Sequence, residues 1–335
     1  RVRLLLIKRR LSRPDPSAAK RHKQTQTSRE PTMTKQPMRI RRSQLSVPGS
    51  SEKMLAKGAA SAADHVFCDL EDAVAPSEKV AARAKIIHAL NNLDWGRKTR
   101  CVRINDVTTQ WCHDDIIEVV EGAGDNIDTI MLTKPYTAAD VLFLDRMLNQ
   151  LEAKLKLQHR IGIEVLIEEV QALQNVEEIA HCTDRMEALI FGMGDYSASQ
   201  GITGDAIGGA TDYPGDIFHY ARFRVTMAAR VAGLDAVDGP FANFKDEATY
   251  REEARRAMSL GMVGKWAIHP SQIAPALEIF SPAQSEVDRA RRYAKAFREA
   301  EGNGLGAVQI DGTMIDIASI RMLDNTLKRA ELLGM

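Results

Sequence analysis

The chain has 335 residues, 44% hydrophobic and 27% charged, which is enough to bury a full core, and no stretch approaches the ~20 apolar residues of a membrane span. Its zero net charge divides into a basic segment and an acidic body: residues 1–32 hold ten Lys/Arg against Asp15 and Glu30, leaving 35 basic and 43 acidic residues beyond. An acidic body excludes nucleic-acid binding as the main work, and four scattered cysteines without a CxxC pair exclude a zinc site or a disulfide framework and point to reduced thiols in the cytoplasm.

The basic segment has three readings: a transit peptide, which would make the protein mitochondrial, a nucleic-acid arm, or sequence upstream of a start at Met33. The third is preferred, and residues 1–37 are expected to be disordered. Strand-like and helix-like runs then alternate. Strands are predicted over Gln44–Pro48, His65–Leu70, Arg100–Asn105, Thr129–Lys134, Arg160–Glu168, Glu187–Gly194, Ala236–Gly239 and Gly264–His269. Helices are predicted over Glu52–Ser61, Ser77–Asn91, Asp114–Glu121, Ala138–Leu155, Glu169–His181, Asp216–Ala232 and Lys245–Leu260. Eight such repeats over about 250 residues point to a (β/α)₈ TIM barrel spanning 38–281, ahead of a doubly wound open sheet.

Residues 282–335 form a C-terminal helical extension in this reading. A charged helix from Pro282 to Ala300 is followed by a glycine-rich hinge with Gly302, Gly304 and Gly306, the apolar run Ala307–Ile310, Asp311-Gly312, and a last helix ending near Leu333. Val308, Ile310, Met314, Ile315 and Ile317 give this tail an apolar face that must pack on the barrel or on another subunit.

Polar residues recur where barrel active sites lie, at the strand ends. Glu168 and Asp195 end two neighbouring predicted strands, and an oxygen-only pair of this kind suits Mg²⁺. In Asp69-Leu-Glu71-Asp72, three carboxylates either start a solvated helix or bind the waters of that metal. Arg103 lies inside an apolar strand, so it either offers donors to a carboxylate or enolate or forms a structural ion pair. Lys134 and His269 each end a strand and can serve the site or only the rim loops. The segment Gly201–Gly209 lacks the context of a phosphate cradle and reads as a long mobile rim loop.

Taken together, Arg42-Ser-Gln-Leu with Val47-Pro-Gly-Ser, Asp69-Leu-Glu-Asp-Ala-Val, Val102-Arg-Ile-Asn, Ile167-Glu168, Phe191-Gly-Met-Gly-Asp195, Ala267-Ile-His-Pro-Ser-Gln-Ile and Gly312-Thr-Met-Ile-Asp316 resemble the citrate lyase β-subunit/HpcH-HpaI aldolase superfamily, and within it the malyl-CoA and β-methylmalyl-CoA lyases. The resemblance covers about Arg41 to Leu333. It implies a TIM barrel with a C-terminal extension packed on a neighbouring subunit, assembled as a homotrimer or homohexamer with shared active sites. It implies Mg²⁺, with Mn²⁺ as a possible substitute, and reversible cleavage of a 3-hydroxyacyl-CoA thioester to glyoxylate plus acetyl-CoA or propionyl-CoA. A malyl-CoA thioesterase or a citramalyl-CoA lyase on the same scaffold is the alternative.

Carried over residue by residue, the resemblance makes Glu168 and Asp195 the metal ligands, with Glu169 a lesser alternative to Glu168, and Arg103 the substrate arginine. Lys57 becomes a coenzyme contact, Gly194, Ile268 and His269 substrate contacts, and Asp316 a catalytic acid lent to the next subunit. Ser46 and Ser51 fall in the coenzyme region. There the relatives usually carry an aromatic and an arginine, so their grip on the coenzyme phosphates is expected to be weaker here.

Overall fold

A computed structural model of the chain describes residues 39–204, 207–208 and 213–335, so the basic segment expected to be disordered lies outside the described residues. Eight parallel strands close into a barrel: β1 (Ser43–Pro48), β2 (His65–Asp69), β3 (Thr99–Arg103), β4 (Thr129–Leu132), β5 (Gly162–Ile167), β6 (Met186–Phe191), β7 (Asp235–Asp238) and β8 (Gly264–Ala267). Closure, rather than an open sheet, is made by β8 pairing back onto β1. Gly264 permits it, since a Cβ there would stand 1.7 Å from the Arg41 carbonyl oxygen.

Around the barrel run α1 (Glu52–Ala59), α2 (Lys79–Asn92), α3 (Cys112–Ala123), α4 (Ala138–Leu155), α5 (Val170–Gln174), α6 (Val176–His181), α7 (Met193–Gln200), α8 (His219–Ala232), α9 (Glu247–Ser259) and α10 (Ile273–Ile279). Local chemistry explains the longest of these. Thr137 and Asp140 form a capping box at the start of α4, and Val141, Leu144, Leu148 and Leu151 repeat on its buried face. The single helix predicted over Glu169–His181 is two, parted at Asn175. Helices α7 and α10 are additions to the sequence reading. The predicted strand Glu187–Gly194 overran the first turn of α7, because Phe191-Gly-Met continues the apolar run after the ladder has ended.

Strand alternation stacks the barrel interior in layers. His65, Phe67 and Asp69 on β2 and Glu164, Leu166 and Glu168 on and just after β5 each contribute to floor, middle and rim. The middle layer is apolar, made by Phe67, Cys101, Met131, Leu166, Ile190, Val237 and Trp266 from seven strands. The floor is ionic. Glu164 accepts from Arg41, Gln44 and Thr129 and pairs with His65 at 3.0 Å. Although His65, Cys101 and Glu164 lie close enough to chelate an ion, the Arg41 guanidinium already fills the cationic role.

The C-terminal extension comprises α11 (Gln284–Gly302), an antiparallel hairpin of β9 (Ala307–Ile310) and β10 (Thr313–Asp316), and α12 (Ile317–Leu332). Asp311 and Gly312 both take positive φ, 51° and 78°, as a tight hairpin turn requires. That hairpin was passed over in the sequence reading, although Asp-Gly between apolar runs is its usual signal. Part of the expected apolar face is buried within the extension, where Ile315 packs with Tyr293 and Phe297 and Val308 and Ile310 lean against them. Met314 and Ile317 stay exposed.

Candidate active site

The β2–β3 register sets Asp69 beside Arg103. Arg103 donates from Nε and Nη2 to the two carboxylate oxygens at 2.7 and 2.5 Å, and its Nη1 lies 3.3 Å from Glu71 Oε2. The guanidinium rests over the rings of Phe67 and Trp266 at about 5.5 Å. Burial lowers its pKa, but Asp69, Glu71 and Glu168 outweigh that and hold it far above the ordinary value. The ion-pair reading of Arg103 is met by Asp69 behind it, and the same side chain lines the cavity in front.

Glu168 emerges from β5 and is 2% exposed, its Oε1 accepting from the Lys134 backbone N–H at 3.1 Å. Gly192, capping β6, gives it room: a Cβ there would lie 2.8 Å from Glu168 Oε2. Asp195 is not at a strand end as predicted but in the first turn of α7, with its side chain 41% exposed. It still shares the rim. The Lys134 ammonium is 3.9 Å from Asp195, 3.3 Å from Asp72 and hydrogen-bonded to Glu71. Lys134 adopts φ +48°, a left-handed conformation that costs roughly 1–2 kcal/mol. This strain turns its N–H to Glu168 and its ammonium to the other acids.

Five carboxylates, those of Asp69, Glu71, Asp72, Glu168 and Asp195, thus surround one ammonium and one guanidinium. Burial, then Asp195 and Glu71, push the Glu168 pKa well above the carboxylate range, and Lys134 and Arg103 only partly oppose them. Burial likewise raises Glu71. An all-oxygen cluster at the cavity rim, with Glu168 and Glu71 buried, Asp195 and Asp72 open to solvent and positive charge in deficit, fits a divalent cation such as Mg²⁺. Glu169 stands at the start of α5 without a side-chain cap bond and does not line the cavity, so Glu168 is the acid presented.

The cavity, of about 1070 Å³, holds Arg103, Glu168 and Asp195 at one end and runs between α1 and α10, past Ser46, Lys57, Ile268 and His269. The His269 ring stacks on Phe244 at 4.5 Å, and its Nδ1 is bonded to Ser271, so it braces a rim loop while lining the channel. Gly194 also lines it, packed against Ile207; of the predicted glycine-rich rim loop, residues 205–206 and 209 lie outside the described residues.

Two predicted residues lie elsewhere. The Ser51 hydroxyl caps α1, accepting from the Met54 N–H at 3.3 Å, and does not line the cavity. Asp316 caps α12, accepting from the Ser319 N–H and hydroxyl at 2.8 and 2.9 Å, and is absent from the cavity of its own barrel. Sequence reasoning missed Asp69 as the partner of Arg103, although alternation with His65 and Phe67 points it inward. It also missed Lys79, whose buried ammonium ties the carbonyls of Leu70 and Glu71 to Asn105 and fixes the acidic loop.

Among known proteins, the chain is 41% identical over 308 residues to the L-malyl-CoA/β-methylmalyl-CoA lyase of Cereibacter sphaeroides, covering 89% of this chain and 97% of that one. It is 34% identical over 291 residues to a (3S)-malyl-CoA thioesterase of the same species, covering 87% and 94%. Among solved structures it matches the protein CitE of Mycobacterium tuberculosis in complex with magnesium, acetoacetate and coenzyme A, at TM-score 0.69 and 29% identity over 86% of this chain and 97% of that one. Residues 42–270 match the model of the HpcH/HpaI aldolase/citrate lyase family, and with that match the chain belongs to this family.

Proposed function

We propose that the protein is a divalent-metal-dependent carbon–carbon lyase that reversibly cleaves a 3-hydroxyacyl-CoA thioester, malyl-CoA or β-methylmalyl-CoA, to glyoxylate and acetyl-CoA or propionyl-CoA. The observation that carries this reading is one cavity of about 1070 Å³ joining a paired arginine, a cation-deficient acid pair and a largely apolar channel between α1 and α10. The 41% identity to a lyase of this specificity supports the substrate class.

Glu168 and Asp195 would hold Mg²⁺, or Mn²⁺ in its place, which when bound supplies Lewis-acid polarisation of substrate oxygens. Glu71, Asp72 and Lys134 keep those two acids oriented. Arg103 is anchored through Nε and one Nη2 hydrogen by Asp69, which leaves donors directed at the cavity. They suit the thioester oxygen, where charge gathers as the bond between the hydroxyl-bearing carbon and the α-carbon breaks. The hydroxyl proton passes to solvent at the open rim as the aldehyde forms, and one proton must reach the α-carbon. Asp316 is proposed to deliver it, and to remove it in the condensation direction. Ser319 holds Asp316 below the usual carboxylate range, which suits it to remove the proton in the condensation direction; in cleavage it must first take up a proton from solvent before passing it to the α-carbon.

Since Asp316 does not line its own barrel's cavity, we assign it to the mouth of a neighbouring copy in a homotrimer or homohexamer. The exposed Met314, Ile317 and Met322 beside it support burial of this extension on another subunit. Lys57, Ser46, Gly194, Ile268 and His269 are assigned to the coenzyme and substrate. Four free cysteines support a cytoplasmic setting; among the described residues no helix is long and apolar enough to cross a membrane.

Incubation with Mg²⁺ and malyl-CoA, assaying glyoxylate and free thiol in parallel, tests the reading. Glyoxylate in step with acetyl-CoA supports it. Free coenzyme A without glyoxylate would establish instead the thioesterase reading, which the 34% identical relative favours, and turnover of citramalyl-CoA alone would shift the substrate.

A further inference from the structure

The barrel end opposite the candidate active site carries a second cavity, of about 300 Å³, between the strand starts and the last turns of α12. Its cations are Arg39, Arg41, Arg42, Arg230, Lys328 and Arg329, against one lining carboxylate, Asp235. Three of them are neutralised by the chain: Arg39 by Asp128 and Glu187, Arg41 by Glu164, Glu187 and Asp235, and Arg42 by Asp64.

The other three are not. Arg230 donates to the carbonyls of Leu234 and Gly261, and Arg329 to that of Met262 at 3.3 Å. Among the described residues, neither of them nor Lys328 has a carboxylate within ion-pair distance. Burial, and then the proximity of Arg230, pull the Arg329 guanidinium below the ordinary arginine range, with Asp235 opposing weakly. Asp235 is committed to Arg41 at 2.9 Å, and the carbonyl of the last residue, Met335, is held by Arg291. Two like charges therefore line one partly closed, partly apolar space, with unused N–H donors and, among the described residues, no carboxylate paired to either of them.

We propose that this cavity binds a small oxyanion, a phosphate group or a compact dicarboxylate, gripped by Arg230 and Arg329 with Lys328 at its mouth. Guanidinium forks match both chemistries with paired hydrogen bonds, whereas a lone ammonium does not. The ligand clamps the C-terminal turns of α12 to the barrel floor. Because Asp316 caps the other end of this helix, occupation fixes the position from which that acid is presented. This last consequence rests on the role proposed above for Asp316; the binding itself does not.

The test is calorimetric and uses the full chain in a chloride buffer, titrated with inorganic phosphate or with malonate, against sodium chloride of equal ionic strength. A saturable heat and a rise of several degrees in melting temperature are expected for at least one of them. A response to phosphate alone identifies a phosphate group, and to malonate alone a dicarboxylate. Arg329→Gln and Arg230→Gln should each abolish the response and, in chloride alone, melt at or above the parent temperature because a like charge has gone. Three outcomes overturn the proposal: no saturable response, a response equal to that of sodium chloride, or variants that melt well below the parent in chloride, which would make the arginines structural. None depends on turnover, so the failure of the proposed lyase reaction would leave this result standing.

Discussion

Replacing Asp69 by asparagine tests the arrangement that makes Arg103 useful. Asp69 is fully buried and accepts four hydrogen bonds, two from Arg103 and two from the backbone N–H groups of Glu71 and Ala73. Asparagine keeps one acceptor oxygen and sets an NH₂ against a guanidinium, so at least one charge-assisted bond, worth about 1.5–3 kcal/mol, is lost. Removing one partner of a buried pair typically costs ~3–5 kcal/mol. Glu71, 3.3 Å from Nη1, recovers part of this. The expected loss is therefore about 2–4 kcal/mol, or roughly 3–6 °C in melting temperature for a chain of this size. An Arg103 free to turn toward Glu71 no longer aims at the thioester oxygen, and kcat/KM should fall by about 10²–10³, as when one oxyanion donor is removed. Scanning calorimetry reads the first effect and glyoxylate release the second. An Asp69→Asn protein melting within about 1 °C of the parent, or one destabilised as expected but keeping its kcat/KM within about twofold, would refute the reasoning.

Four further outcomes are expected. Glu168→Ala or Asp195→Ala should abolish turnover and the Mg²⁺-dependent rise in melting temperature while the fold survives; EDTA should silence the parent and Mg²⁺ or Mn²⁺ restore it, and full turnover in metal-free buffer would sink this assignment. Gly192→Ala should mimic Glu168→Ala, because its Cβ would stand 2.6 Å from Glu168 Cβ; unchanged metal affinity by calorimetry would contradict it. Asp316→Ala should lose activity but keep Mg²⁺ binding, and mixing it with Arg103→Ala subunits under exchange should restore part of the rate; mixed oligomers that stay dead after demonstrated exchange would rule out a shared site. The fourth concerns acid. Burial raises Glu164 and Asp238, but His65 and Arg41, and Arg222 and Lys265, outweigh it and hold both below the usual carboxylate range. Their contribution is thus present above the unfolded pKa of about 4 and lost as pH falls through the folded values. Stability by denaturant titration should be flat in these groups above about pH 5.5 and decline below, and Glu164→Gln should remove up to about 1.4 kcal/mol per pH unit of that slope.

Much of this protein was legible from the chain because the relevant signals are local and periodic. Alternating β and α runs place eight strands in order, and the apolar character of each run marks it as barrel wall, whatever its partners. Polar residues closing those runs, Glu168, Arg103, Lys134 and His269, could be assigned to one rim from this order alone, since parallel strands must all end on the same side. The local signals also misled locally. Apolar continuity through Phe191-Gly-Met hid the start of α7 and with it the true setting of Asp195.

The tertiary structure decided what depends on distances between strands. Register between β2 and β3, not any motif, makes Asp69 the partner of Arg103 and leaves Glu71 for Lys134. The left-handed Lys134 backbone, the room made at Gly192, and the charge deficit around Glu168 arise only when β4, β5 and β6 are side by side. Asp316 shows the limit most clearly: its type and its place after Asp311-Gly312 are written in the chain, but its absence from its own barrel's cavity is a property of how α11 and the hairpin pack. A residue's chemistry is carried by its identity, whereas its partners are set by contacts between segments far apart in sequence, which no local pattern encodes.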